Sequence, residues 1–302
     1  MLGELKALIK SILGWFQKHT ARLDVGIVRY VKGGRIPWSA GYSAYRAHNV
    51  SEILNNDGMM AKFRNEQTLP PGYGVGLDER CVEYLWLLSL LEPGPERMLD
   101  AGSALNHAFI LDQNVLQNKT IHILTLAPEH NCFWHRGISY LYADLREIPV
   151  CDDYYDTVVC CSTLEHVGLD NTAFIQSDSY AEKRPDDYLE ALMEIRRVLK
   201  PNGKLLLTVP FGRYRNFGTF QQFDERLVKQ TIAAFRPAKV EQTYFCYTAG
   251  GWDFSTSEAC TDAEYVEWTA LPPEQRPAIF PDHPDRAAAA RAVACLLLVK
   301  SG

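Results

Sequence analysis

The stretch "EIRRVLKPNGKLLLTVPFG" (194–212) contains three elements in a row: the end of a helix, a Pro-Asn-Gly turn and a run of apolar residues of strand length. A helix that feeds straight into a fully apolar strand is the repeating unit of a parallel sheet covered on both faces. Working outward, the helix extends upstream over "DDYLEALMEIRRVLK" (186–200), and the strand covers "GKLLLTVP" (203–210).

The same alternation continues in both directions. Upstream, "YDTVVCCS" (155–162) is a buried strand, preceded by strands at 138–143 and "TIHILTL" (120–126), a helix near 105–114, a short strand over 97–101 and the helix "ERCVEYLWLLSLL" (79–91). Downstream come the helix "FDERLVKQTIAAF" (223–235) and two strands, "AKVEQTYF" (238–245) and "RAVACLLLVK" (291–300). Those last two strands have no normal helix between them, so they are expected to pair antiparallel. The intervening segment 247–290, with "AGGWDF" and "LPPEQRPAIFPDHPD", is too long for a hairpin turn and reads as a lid-like insertion.

Residues 1–75 are different in kind. Leu2, Leu5, Leu8, Ile9, Ile12, Leu13 and Phe16 stand at helical spacing, with Lys6, Lys10 and Lys18 largely on other faces. Docking of this helix on the protein's own body or on a second copy, as in a homodimer, and peripheral contact of residues 1–20 with an anionic membrane surface both fit the pattern. The turn signals "KGGRIP", "NNDG" and "LPPGYGVG" follow, so residues 1–75 read as a basic extension and 76–302 as the main domain.

Composition narrows the function. With 47% hydrophobic and 23% charged residues, the 302-residue chain is of the globular type. Its net charge of −6 is uneven: residues 1–65 hold ten Lys/Arg and four Asp/Glu, leaving the rest strongly acidic. An acidic body argues against a nucleic-acid partner. The eight cysteines form no CxxC pair and no zinc spacing, and Cys160 and Cys161 point to opposite faces of one strand, so reduced thiols and a cytoplasmic setting are expected, with no metal site. No apolar run reaches the roughly 18–20 residues that a membrane-spanning helix needs.

Four blocks carry a family likeness: "LDAGSALN" (99–106), "ADLREIP" (143–149), "YDTVVCCSTLEHVG" (155–168) and 194–212 itself. In this order and at these separations they resemble the class I S-adenosylmethionine-dependent methyltransferases, in the branch acting on small molecules, lipids and glycans. The likeness is strong over about 100–212 and covers 79–302 in outline. It implies a doubly wound, seven-stranded, mostly parallel sheet with an antiparallel last strand, and S-adenosyl-L-methionine bound beyond the strand ends where the strand order switches.

The resemblance also assigns roles. Asp100, Gly102, Ser103 and Ala104 would meet the cofactor's amino-acid end, although the family's later glycines are replaced here, and Asn106 is either a helix cap or a further contact. Thr125 stands where the family has a ribose-binding acid; Glu129 either substitutes for it, if the turn folds back, or serves as a helix cap. Asp144 and Leu145 would meet adenine, with an ion pair to Arg146 the plainer role for Asp144. Ser162 would face the methionine moiety, and Glu165, His166 and His107 are the candidates for acting on a substrate hydroxyl. Arg213, Tyr214 and Trp252 would form the substrate rim. The Asp/Asn-Pro-Pro-aromatic run of base-methylating enzymes is absent, as is any GxGxxG of a nicotinamide enzyme. The reaction expected is methyl transfer to an oxygen of a small molecule, lipid or cell-surface glycan intermediate. The lost glycines and Thr125 motivate the alternative, a non-catalytic scaffold or regulatory partner of the same fold.

Overall fold

A computed structural model describes residues 25–175 and 177–302. The amphipathic helix expected in residues 1–20 lies outside them. Ten strands are described: β1 (Arg97–Ala101), β2 (Thr120–Thr125), β3 (Ser139–Tyr142), β4 (Tyr155–Cys161), β5 (Leu199–Pro210), β6 (Arg215–Asn216), β7 (Gln221–Gln222), β8 (Pro237–Thr248), β9 (Gly251–Ser255) and β10 (Ala292–Lys300). Eight of them form one sheet in the order β3-β2-β1-β4-β5-β10-β8-β9, and β6 pairs with β7 separately.

Strands β1 to β5 run parallel, whereas β10 is antiparallel to both β5 and β8. The seven-stranded expectation is met and exceeded by one strand. β9 folds back antiparallel on β8, so the first residues of the 247–290 insertion are sheet rather than lid. The chain winds outward from β1 to β3 and then returns to β4, which makes the gap between β1 and β4 the switch in strand order.

Helices cover both faces. α1 (Tyr42–Leu54), α2 (Asp57–Arg64) and α3 (Arg80–Leu90) pack on one, and α4 (Tyr188–Val198) and α5 (Glu225–Phe235) on the other. Cys160 and Cys161 mark the two sides, each fully buried in a different core. Val50, Leu54, Phe63 and Leu69 share one apolar cluster with α3 and the sheet, so the described part of the N-terminal extension is built into the body, with no boundary in the core at residue 75. The helix expected near 105–114 is only a turn at Ala108–Leu111 and a 3-10 turn at Asn114–Leu116. Its residues are spent on following the tight bend after Gly102, which leaves too few for a regular helix. Among the described residues no helix is long and apolar enough to cross a membrane.

Candidate cofactor and acceptor site

The carboxyl ends of β1 to β4 open into a cleft of about 340 Å³ walled by Gly102, Thr125, Glu129, Asp144, Leu145 and Ser162 among others. Gly102 has φ +115°, and a Cβ built on it would lie 2.1 Å from Thr163 Oγ1. Only glycine permits that approach between the ends of β1 and β4. Ser103 follows in the left-handed region at φ 63° and Ser162 at φ 40°, so both turns hold non-glycine residues in conformations that cost energy.

Behind the turn, Asp100 is fully buried. Its Oδ2 accepts from the Leu105 N–H at 2.8 Å, while Oδ1 has no partner among the described residues. Burial pushes this carboxyl up to about 7. An orphaned carboxylate oxygen beside a bare glycine turn suits the ammonium end of an amino acid.

Glu129 does fold back. Ser103 Oγ donates to its Oε2 at 2.8 Å, Asn106 Nδ2 to the same oxygen at 3.0 Å, and Thr125 Oγ1 to Oε1 at 3.3 Å. A carboxylate thus stands at the end of β2 although Thr125 occupies the strand position itself. Asn106 is the hub that holds it there: it also donates to Asn131 O and accepts from Tyr140 Oη. Asn106 therefore does not cap the helix, and it does not line the cleft.

At the end of β3, Arg146 grips Asp144 with Nη2 at 2.7 Å and Nε at 3.0 Å, and reaches on to Glu182 and Asp187. Burial alone would raise the Asp144 carboxyl, but the Arg146 hydrogen bonds outweigh it and hold it below the usual range. The ion pair with Arg146 read from the sequence is present, and Asp144 also lines the cleft beside Leu145.

A second chamber of about 430 Å³ adjoins the first and shares Ser162, His166 and Phe174 with it. Its walls come from segments far apart in sequence: Trp38 and Arg46, the start of α3 at Asp78–Arg80, Glu165 after β4, Phe220, and Tyr265–Thr269. Trp38 Nε1 donates to Ala288 O and Trp268 Nε1 to Ala287 O, pinning the N-terminal segment and the late insertion over the sheet edge together. His166 Nδ1 lies 2.8 Å from Thr219 O. Since a carbonyl only accepts, Nδ1 carries the proton and Nε2 is the ring's acceptor.

Glu83 on α3, unremarked in the sequence, supports the joint between the chambers. It is fully buried and accepts from Thr208 Oγ1 at 2.6 Å, from Ser162 Oγ and from Arg80. The hydroxyl of Ser162 is thereby committed to Glu83, leaving its backbone to line the cleft. An acid in the middle of "CVEYLWLLSL" was the available signal.

Residues 122–207 match the family model described as "Methyltransferase domain". They span β2 to β5, including the Glu129 turn, Asp144 and the Ser162–His166 segment, all on the cleft. These residues carry a methyltransferase domain. No curated protein matches the sequence. Solved structures similar to this methyltransferase chain include 1,6-didemethyltoxoflavin-N1-methyltransferase of Burkholderia thailandensis, at 13% identity over 95% of this chain and 90% of that one, TM-score 0.42. The [4+2]-cyclase SpnF is 16% identical over 85% and 94%, TM-score 0.45. A methyltransferase from Archaeoglobus fulgidus is 12% identical over 74% and 96%, TM-score 0.45. With so few shared residues, none of them bears on the acceptor of this methyltransferase.

Of the expected site residues, Asp100, Ser103 and Ala104 stand behind the Gly102 turn without lining either cavity, and four others lie farther off. Arg213 is exposed and paired with Glu264 and Asp262, and Tyr214 sits under Arg226 on the surface. His107 stacks on Phe109 away from both cavities. Trp252 is buried, its Nε1 donating to Leu77 O, because β9 tucks it against Tyr247 in the core. Trp252→Ala accordingly loses about 3–5 kcal/mol of stability in urea unfolding, while the folded protein keeps its affinity for S-adenosylhomocysteine. A rim residue would show the reverse.

Proposed function

We propose that this domain moves the methyl group of S-adenosylmethionine to an oxygen of a small molecule, lipid or glycan intermediate held in the second chamber. The observation that carries the reading is the joint between two adjoining cavities, both lined by His166, whose Nδ1 is held by Thr219 O. Gly102, Glu129, Asp144 and Leu145 are the residues to hold the cofactor, with Asp100 taking its ammonium end. When bound, the cofactor supplies an electrophilic methyl on a sulfonium, so the protein's task is chiefly alignment.

His166 is the better of the two candidates for the acceptor's proton. Burial lowers its imidazole to about 4, so the ring is neutral near pH 7 and accepts a hydrogen bond from the acceptor hydroxyl at Nε2. The same burial pushes the Glu165 carboxyl well above its ordinary value. The eight unpaired cysteines suit a reducing, cytoplasmic setting, and residues 1–20 are the proposed contact if the acceptor is membrane-bound.

The direct test supplies hydroxylated sugars, lipids and small molecules with the methyl donor, follows S-adenosylhomocysteine by mass spectrometry, and locates the methyl by NMR. An O-methyl product is expected; an N- or C-methyl product overturns the oxygen assignment. Binding of S-adenosylhomocysteine by titration calorimetry, reduced at least tenfold in Asp144→Ala, checks the cofactor cleft separately.

The His166 shift also sets a pH dependence. An unfolded histidine binds its proton near 6.5 and the folded one near 4, so stability is full above the first value and falls as pH drops through the window, by at most about 3 kcal/mol. Urea unfolding at pH 7 and pH 4.5 should show His166→Asn losing less stability on acidification than the parent.

A further inference from the structure

Resting on the oxygen-transfer reading just given, we infer that the second chamber selects an acceptor that carries an ammonium group beside its reacting hydroxyl. The argument is one of charge pairing. Two cations line the chamber, and both are already matched: Arg46 Nη1 lies 2.6 Å from Asp78 Oδ2, and Arg80 is held by Glu83. Three further carboxyls, Glu79, Glu165 and Glu267, line it without a cation in contact among the described residues. Glu165 is 2% exposed and its Oε2 has no hydrogen-bond partner there. Glu79 Oε2 receives only a 3.3 Å contact from the Ala290 N–H.

A buried carboxyl left without a donor is costly, and one that faces a cavity is satisfied most simply by what enters it. Burial, reinforced by Asp78 and Glu83, pushes Glu79 up to about 7, and burial raises Glu165 and Glu267 too. A bound ammonium reverses that penalty by supplying the opposite charge. The rest of the wall is aromatic, with Trp38, Phe220, Tyr265 and Trp268, and the Trp38 ring already carries the Arg46 guanidinium, the kind of cation such rings attract. A neutral polyol would also find acceptors and aromatic faces here, but would leave the three carboxyls uncompensated.

The test uses matched pairs that differ only in the charged group: glucosamine against glucose, and tyramine against its alcohol, tyrosol. Titration calorimetry is done on the full chain saturated with S-adenosylhomocysteine. The amine of at least one pair is expected to bind at least tenfold more tightly than its alcohol. Glu165→Gln and Glu79→Gln are each expected to remove most of that preference while the S-adenosylhomocysteine affinity, read in the same experiment, reports an intact fold. Alcohols binding as well as amines overturn the ammonium assignment in favour of a neutral polyol, and a preference that survives both substitutions overturns the role of these carboxyls. Loss of S-adenosylhomocysteine binding by the parent would instead strike at the methyltransferase reading.

Discussion

Gly102→Val is expected to abolish detectable binding of S-adenosylmethionine and S-adenosylhomocysteine, a loss of at least a hundredfold by titration calorimetry. Two costs combine at this one position. At φ +115° a β-branched side chain is strained in a region that L-residues avoid. Its Cβ would also fall inside the contact with Thr163, whose Oγ1, Cγ2 and Cβ all lie within 2.6 Å of where it must go. Swinging Thr163 aside would cost its 3.0 Å bond to Cys161 O and would still leave its own Cβ 2.6 Å from the added carbon. The ends of β1 and β4 then separate at the floor of the cleft. Thr163→Ala alone is expected to cost little, and Gly102→Val/Thr163→Ala to recover only part of the binding, since the backbone strain remains. Full binding by Gly102→Val would mean that the turn does not carry the cofactor.

The parts of this site that the sequence revealed are those encoded within a few residues. Gly102 after an apolar run, Asp144 after β3 and His166 after β4 each sit where a strand meets a turn, and periodicity alone locates strand ends. Glu129 was legible only as a possibility, because the return of its side chain depends on Ser103 and Asn106, more than twenty residues earlier in the chain. The residues expected to form a substrate rim stand apart from both cavities for the same reason on a larger scale. Arg213, Tyr214 and Trp252 looked suitable as a local cluster of aromatic and basic residues, yet the chamber is built by Trp38, Arg46, Glu79, Tyr265 and Trp268. The bond that locks part of that wall, Trp38 Nε1 to Ala288 O, spans 250 residues. Such a contact leaves no trace in local pattern, and an N-terminal stretch read as an appendage turned out to supply the wall.

The same limit applies to Glu83, where the second large effect is expected. Glu83→Leu should destabilise the protein by about 3–5 kcal/mol in urea unfolding, because it leaves the buried Arg80 guanidinium and two hydroxyls, Ser162 Oγ and Thr208 Oγ1, without their acceptor. That loss is mostly the penalty on the groups left behind rather than the worth of the interaction itself. Arg80→Met combined with Glu83→Leu should therefore unfold at higher urea than Glu83→Leu alone, although it carries one substitution more. Thr208→Val, which removes a single neutral donor, should cost only about 1 kcal/mol. Ser162 is the link to function: it lines both cavities with its backbone at φ 40°, and its hydroxyl is tied to Glu83. If Glu83→Leu unfolds no more easily than the double variant, the carboxylate is not the keystone of the α3–β4–β5 joint. If it does, the strained Ser162 turn between the two cavities is maintained from helix α3 by one buried acid.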